Sequence, residues 1–249
     1  MSIRIVLVGT SHPGNIGSAA RAMKTMGFES LCLVAPERFP ASEATVMAAG
    51  ADDVLFRARV LPDVKSAVAD CGLVVGTTAR TRHLPWRVVE PRAAATEIAA
   101  AAHSSEVAIL FGAERTGLEN DDLQQCHMLL TIPTGTAYAS LNLAMAVQVV
   151  AYELRLALRE RTEEGREGVP LASALEMETF YAHLEQVLEE VDFRDRTNSG
   201  HLMARLRRLF NRTVLDQNEM NILRGILTAV QGRRRRAGEP HHRGGGITP

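Results

Sequence analysis

The sequence predicts an α/β fold, a mostly parallel sheet with helices on both faces. Short apolar runs alternate with helical patterns through roughly the first 160 residues, which is the order of a parallel sheet joined by helical crossovers. The runs are apolar at successive positions, as strands covered on both faces must be. The first run, IRIVLVG, empties directly into the glycine-studded turn TSHPGNIG and then a helical pattern, the usual opening of a ligand loop at a strand's carboxyl end.

IRIVLVG, SLCLVAP, GLVVGTTA, VAILFG and HMLLTIP read as strands, with a weaker candidate at VLFRARV. The first helix is predicted to begin near Asn15 or Gly17 and to end at Gly27, a residue suited to the left-handed position after a helix. SLNLAMAVQVVAYELRLALR, from about Ser140 to Arg159, is apolar nearly all the way round in its first three turns. That pattern predicts burial on every side, in the centre of the domain or against a second copy in a symmetric dimer. EEGREGVP is polar, carries two glycines and ends in proline, so it reads as a linker. Three helical patterns follow, at about Ala172 to Phe193, His201 to Thr213 and Asn218 to Gln231. The expected organisation is a main domain over 1–162, a linker over 163–170, a small helical extension over 171–232, and a disordered basic tail over 233–249.

Net charge is −1 with a pI near 6.7, so the whole-chain balance points to no polyanionic partner. Its distribution does. Six acids and no lysine or arginine lie between Leu175 and Asp192, whereas nine arginines face only Asp216 and Glu219 between His201 and Arg236. Cys32, Cys71 and Cys126 are far apart and form no CxxC pair, which predicts reduced, buried thiols and implies no metal site. The chain enters a strand without a basic leader and has no run of membrane-spanning length, so a cytoplasmic protein is expected.

The first loop is not built for phosphate. Gly9 to Gly14 fits the first half of GxxxxGK[ST], but Asn15 and Ile16 stand where the lysine and the magnesium-binding hydroxyl belong. The dinucleotide fingerprint GxGxxG fails as well, since Gly14 and Gly17 have no glycine two residues upstream. Four strand ends nevertheless lead into decorated turns, GTSHPGNIG, GTTARTRHLPW, FGAERTGL and IPTGTAYASLN. Together they outline a pocket at the carboxyl ends of the strands.

NIGSAAR at Asn15 to Arg21, FGAERTGL at Phe111 to Leu118, and Ile132-Pro133 followed by SLNLA at Ser140 to Ala144 match three motifs, in order and spacing, of the SPOUT class of RNA methyltransferases. More narrowly, the chain resembles the TrmJ type of tRNA ribose 2'-O-methyltransferase, up to about Gln231. TTARTRHLPW at Thr77 to Trp86, LRRLFNR and NILRGIL also look like that family. The resemblance implies S-adenosylmethionine as cofactor, a homodimer, and as substrate the ribose at position 32 of the tRNA anticodon loop, cytidine or uridine. It also implies a C-terminal trefoil knot in the methyltransferase domain, against the general rarity of knotted chains.

Carried over residue by residue, the resemblance implies a cofactor slot at Thr77, Thr78, Ala79, Gly112, Ile132 and Leu141. S-adenosylmethionine carries no phosphate, and these small or aliphatic residues suit an uncharged slot. The catalytic set is Arg21, Asn15, Glu114, Ser140 and Asn142. A guanidinium keeps its proton at physiological pH, so Arg21 is expected to hold phosphate and stabilise the developing alkoxide rather than act as a base. Glu114 is expected to orient Arg21 or cap a helix, Asn142 to satisfy backbone groups near a helix start, and Ser140 to serve as an N-cap or in catalysis. His12 titrates in the useful range, but the motif does not require it, and it reads as a loop histidine. Arg80, Arg82 and Arg115 at the pocket, and Arg205, Arg207, Arg208 and Arg212 on one helix, are expected to contact RNA through phosphates. A catalytically silent tRNA-binding protein with the same fold is the competing function, and the intact catalytic set argues against it.

Overall fold

The structure is a computed structural model that describes residues 3–79, 86–135, 139–161, 169–193 and 202–238. Its strands are β1 (Ile3–Val8), β2 (Ser30–Val34), β3 (Arg59–Leu61), β4 (Cys71–Thr77), β5 (Val88–Val89), β6 (Glu106–Phe111) and β7 (Met128–Leu130). They form one sheet in the order β3-β2-β1-β6-β4-β7-β5, and every pairing between them is parallel. The five strong apolar runs are the five strands β1, β2, β4, β6 and β7. The weaker candidate VLFRARV is divided: its first residues belong to a short helix and its last two to β3. With only two residues, β5 is too short to stand out as an apolar run. It is fixed by pairing, with the Leu129 amide donating to Arg87 and the Thr131 amide to Val89.

Both faces of the sheet are covered. Ile3, Ile5 and Leu7 of β1 face one core, packed by α1 (Pro13–Thr25), α2 (Ser42–Ala48), α3 (Asp52–Phe56), α5 (Pro91–Ala101) and α7 (Leu143–Arg161). Val6 faces the other, packed by α4 (Val64–Val68) and α6 (Asn120–Gln124). This period of two within an unbroken apolar run is what a doubly covered strand requires. Arg4 shares the face of Val6 and is only 6% exposed. Its guanidinium donates to the Ala67 carbonyl at 2.8 Å and to both oxygens of Asp70 at 2.7 and 2.8 Å. That pairing holds the Asp70 carboxyl down to about 2.

Local chemistry sets the helix ends. Pro13 occupies the first turn of α1, where its missing N–H costs nothing, and Gly27 takes a φ of 80° just past its end. Helix α7 starts later than its apolar pattern, at Leu143, because Asn142 caps it: the Asn142 Oδ1 accepts from the Ala144 and Met145 amides at 2.9 and 3.4 Å. The helix is also not buried all round. Leu143, Val147, Val150, Ala151 and Leu154 enter the core, while Met145, Val149 and Tyr152 form an exposed stripe, Met145 at 62%.

Beyond it, α8 (Ala174–Glu190), α9 (Leu202–Asn211) and α10 (Gln217–Gly238) share a separate core around Met177, Phe180, Tyr181 and Leu184. A reciprocal capping box between Ser173 and Glu176 starts α8. The extension is tied to the main domain by backbone and side-chain bonds: the Leu171 amide to Ser105 Oγ at 2.7 Å, the Leu175 amide to the Ala69 carbonyl at 2.9 Å, and Asn211 Nδ2 to the Gln124 carbonyl at 3.2 Å. Helix α10 runs to Gly238, past the end at Gln231 that its pattern predicts and into the stretch expected to be irregular. Residues 163–168 of the expected linker and 239–249 of the expected tail lie outside the described residues. All three cysteines are buried free thiols, and burial pushes Cys71 up to about 12. Among the described residues no helix is long and apolar enough to cross a membrane.

Candidate active site

A cavity of about 290 Å³ opens where β4, β6 and β7 end, at Thr77, Phe111 and Leu130. All six residues expected to hold the cofactor line it: Thr77, Thr78 and Ala79 after β4, Gly112 after β6, and Ile132 and Leu141 in the segment between β7 and α7. The walls are held by backbone bonds. The Thr78 amide donates to the Leu130 carbonyl at 2.9 Å, and Thr77 Oγ1 donates to the Leu110 carbonyl at 2.9 Å.

The turn after β6 has a steric reason for its first glycine. A Cβ on Gly112 would stand 2.1 Å from the carbonyl carbon of Gly117 and 2.2 Å from the amide nitrogen of Leu118. Backbone packs on backbone here, so no side chain fits. The loop is closed by the Gly117 amide donating to the Ala113 carbonyl at 2.8 Å, with Gly117 itself at a φ of 71°.

Three motifs far apart in the chain meet at the cavity rim through their side chains. Asn142 Nδ2 donates to Asn15 Oδ1 at 2.9 Å, and Asn15 Nδ2 donates to Glu114 Oε1 at 2.8 Å. The other oxygen of Glu114 accepts from the Ser11 amide at 3.1 Å and from Ser11 Oγ at 3.0 Å. Partial burial raises the Glu114 carboxyl, but the hydrogen bonds from Asn15 and Ser11 outweigh it, and the net direction is down. Glu114 is therefore an ionised acceptor that aligns Asn15, and Asn15 in turn aligns Asn142.

That geometry corrects two expectations. Glu114 orients the Asn15 loop, not Arg21, whose side chain is exposed and makes no hydrogen bond or ion pair among the described residues. The α7 cap belongs to Asn142 and not to Ser140, which lies upstream in the cavity wall with Leu141. His12 stands at the N-cap position of α1 without a side-chain cap bond. Ser11 was not singled out by sequence, because one serine in a glycine loop has nothing to mark it. Its role appears only when Glu114, 103 residues away, is folded onto it.

The arginines divide by environment. Arg115 is exposed at the cavity wall. Arg80 and Arg82 lie outside the described residues. On α9, Arg205 and Arg212 are exposed and Arg208 is half-buried. Arg207 is committed inside the fold: it makes a bidentate pair with Glu178 and stacks on the Tyr181 ring at 4.4 Å. Glu178 belongs to the acidic run of α8, so the segregated charges of the extension partly answer each other.

Residues 2–152 match the SpoU rRNA Methylase family, and residues 175–241 match the C-terminal domain of tRNA methyltransferase TrmJ. A tRNA (cytidine/uridine-2'-O-)-methyltransferase TrmJ from Photorhabdus laumondii is 50% identical over 233 residues, covering 92% of this chain and 97% of that protein. The crystal structure of TrmJ from Z. mobilis ZM4 is similar with a TM-score of 0.79 at 37% identity, over 93% of this chain and all of that one. A probable methylase family protein from Haemophilus influenzae gives a TM-score of 0.62 at 44% identity, over 94% and 98%. Both family models and near-full-length relatives agree, and the chain belongs to the SpoU methylase family, in its TrmJ branch of tRNA (cytidine/uridine-2'-O-)-methyltransferases.

Proposed function

We propose that this protein methylates the ribose 2'-hydroxyl of the cytidine or uridine at position 32 of tRNA, using S-adenosylmethionine. The observation that carries the reading is the chain of bonds from Ser11 through Glu114 and Asn15 to Asn142, set on the rim of a cavity lined by every residue the cofactor is expected to need. The cavity suits that cofactor, with small and aliphatic side chains, backbone polar groups and no lysine in its wall. When bound, S-adenosylmethionine supplies an electrophilic methyl on a sulfonium, a good leaving group that calls for no metal.

The chain's own residues then have three tasks. Thr77 to Ala79, Gly112, Ile132 and Leu141 bind and exclude water. The ionised Glu114 fixes Asn15 and Asn142, which hold the rim of the cavity in one geometry before the substrate arrives. Arg21, a permanent cation with no side-chain partner among the described residues, holds an adjacent RNA phosphate and stabilises the negative charge that develops on the ribose oxygen. Ser140, in the cavity wall, positions the incoming ribose.

The reading extends to assembly. The exposed stripe of Met145, Val149 and Tyr152 on α7 runs on from Leu141 of the cavity wall, and we assign it to a homodimer interface that completes the site from two subunits. A trefoil knot in the segment from β6 to α7 and action on tRNA in the cytoplasm belong to the same proposal. The test is methyl transfer to an unmodified tRNA transcript, with mass spectrometry locating the methyl group. Transfer to the 2'-oxygen at position 32 is expected. Tight tRNA binding with no transfer would instead establish the silent tRNA-binding protein.

A further inference from the structure

A second cavity, of about 270 Å³, lies at the opposite end of the sheet from the first. It opens beside Trp86, just before β5, and beside His127, just before β7, and α9 closes it with Arg205, Arg208 and Arg212. These three arginines are spaced i, i+3 and i+7, so they share one helix face. No carboxylate lines the cavity among the described residues, and Arg87 in its wall is already paired with Glu97 at 2.7 Å.

Arg208 is the feature that asks for a ligand. Its Nη1 is buried and has no hydrogen-bond partner among the described residues, while its guanidinium lies 5.9 Å from the centroid of the Trp86 ring. A buried donor without an acceptor is unfavourable, and the aromatic face holds the cation in place without satisfying it. The polar neighbours Asn211 and His127 are already engaged. Asn211 Oδ1 already accepts from Tyr181 at 2.5 Å, and its Nδ2 donates to the Gln124 carbonyl. His127 Nδ1 accepts from the Val74 amide at 3.0 Å, so in the neutral ring the proton sits on Nε2 and the residue offers a donor. Burial keeps that ring neutral. The cavity thus presents cations and donors to an anion.

We propose that this cavity seats a backbone phosphate of the tRNA substrate, between the Trp86 ring and the arginine face of α9. The proposal rests on the reading above only in taking tRNA as the polyanion. Its place also fixes its role. Leu130 ends β7 and His127 stands just before its start, three residues away, so the two cavities are separated by about 10 Å of extended chain and this phosphate is set apart from the reacting ribose. It contributes binding and orientation, not chemistry.

Trp86 is the only tryptophan of the chain, so its fluorescence reports on this cavity alone. Titrating the full-length protein with unmodified tRNA transcript is expected to change that fluorescence with the same midpoint as filter binding. Arg208→Gln is expected to raise the tRNA dissociation constant about tenfold and to reduce the slope of log affinity against log salt by about 0.7 to 0.9. S-adenosylmethionine affinity by isothermal titration should stay within about twofold. The double variant Arg205→Gln/Arg212→Gln, at two exposed positions, is expected to lower the salt slope in the same direction. Inorganic phosphate in the millimolar range should displace the tRNA-dependent signal. The proposal fails if Trp86 stays silent while filter binding shows tRNA bound, or if both variants keep wild-type affinity and slope. Micromolar binding of inorganic phosphate that tRNA does not displace would also overturn it, in favour of a small-anion site. These readouts need no turnover, so failure of methyl transfer would sink the proposed function and leave the phosphate seat standing.

Discussion

The two ends of one parallel sheet have been finished in opposite ways. At the carboxyl ends of β4, β6 and β7 the polar side chains satisfy one another: Glu114 accepts from Ser11 and Asn15, and Asn15 accepts from Asn142. At the amino ends of β5 and β7 a buried guanidinium nitrogen of Arg208 is left without an acceptor among the described residues. A cavity whose polar groups are already paired selects by shape and by backbone, which suits a ligand without phosphate. One that holds a buried cationic nitrogen without an acceptor selects by charge. A single chain thus separates the chemistry of methyl transfer from the affinity for a polyanion by the length of a strand.

The largest expected effect lies at the carboxyl end. On the proposed mechanism, Arg21→Ala removes a cation that acts on the transition state and whose side chain has no hydrogen-bond or ion-pair partner among the described residues, so kcat should fall about 10³-fold. S-adenosylmethionine affinity by isothermal titration should stay within about twofold. A matching loss in both quantities would mean that Arg21 builds the cavity, and the contrast between a prepaired rim and an unpaired cation would be lost.

The next effect belongs to the amino end. Burial pushes His127 down to about 4 from the ordinary value of 6.5. The unfolded chain therefore takes up the proton first as pH falls. Its contribution to stability is complete above about pH 6.5 and is lost progressively down to about pH 4, to the extent of about 3 kcal/mol. Denaturant midpoints measured across this window should drop more steeply for the wild type than for His127→Asn, in which an amide oxygen can still accept from the Val74 amide. Equal slopes in the two proteins would show that the ring is not the group that titrates.

Glu114→Gln tests the rim more gently. It replaces one accepting oxygen by a donor that must face Ser11 or Asn15, which is worth about 2 kcal/mol, and kcat/KM should fall about 10- to 100-fold. Because the Glu114 carboxyl is held below its ordinary range, the wild-type rim should persist through mild acid. It should fail only as pH falls through that lowered value. Activity that declines with a midpoint in the ordinary range for His rather than for a carboxylate would point away from Glu114.

Sequence made one end far more legible than the other. The five apolar runs and the four decorated turns are local patterns that outlined the carboxyl-end cavity, and the family resemblance named the six expected cofactor residues that line it. What they could not convey were the partners. Ser11 and Glu114 are 103 residues apart, and whether Glu114 would meet Arg21 or Asn15 depends on how two loops cross. The apolar pattern of α7 could not say which of its faces meets the domain and which a second copy, and Met145 and Tyr152 are apolar yet exposed in a single chain. At the amino end the difficulty is sharper. Arg207 and Arg208 are adjacent, identical and equally basic in sequence, but successive helical residues point about 100° apart. One turns inward to Glu178 and Tyr181, the other toward Trp86.

That pair gives the smallest expected effect and the closest test of the comparison. Arg207 and Glu178 are each about four-fifths buried, at 22% and 18% side-chain exposure, and the guanidinium also covers the Tyr181 ring. Arg207→Ala leaves the Glu178 carboxylate with Lys65 at 3.6 Å as its remaining ion-pair partner, so the extension should lose about 1 to 2 kcal/mol of stability. Its transition in thermal or denaturant unfolding should move down while the salt slope of tRNA binding stays as in the wild type. Arg208→Gln should show the reverse, a reduced salt slope with little change in unfolding, because it removes a charge that no carboxylate pairs with among the described residues. If instead the two variants lower the salt slope equally, the internal pairing with Glu178 does not withhold Arg207 from RNA, and the α9 arginines act as one undifferentiated basic surface.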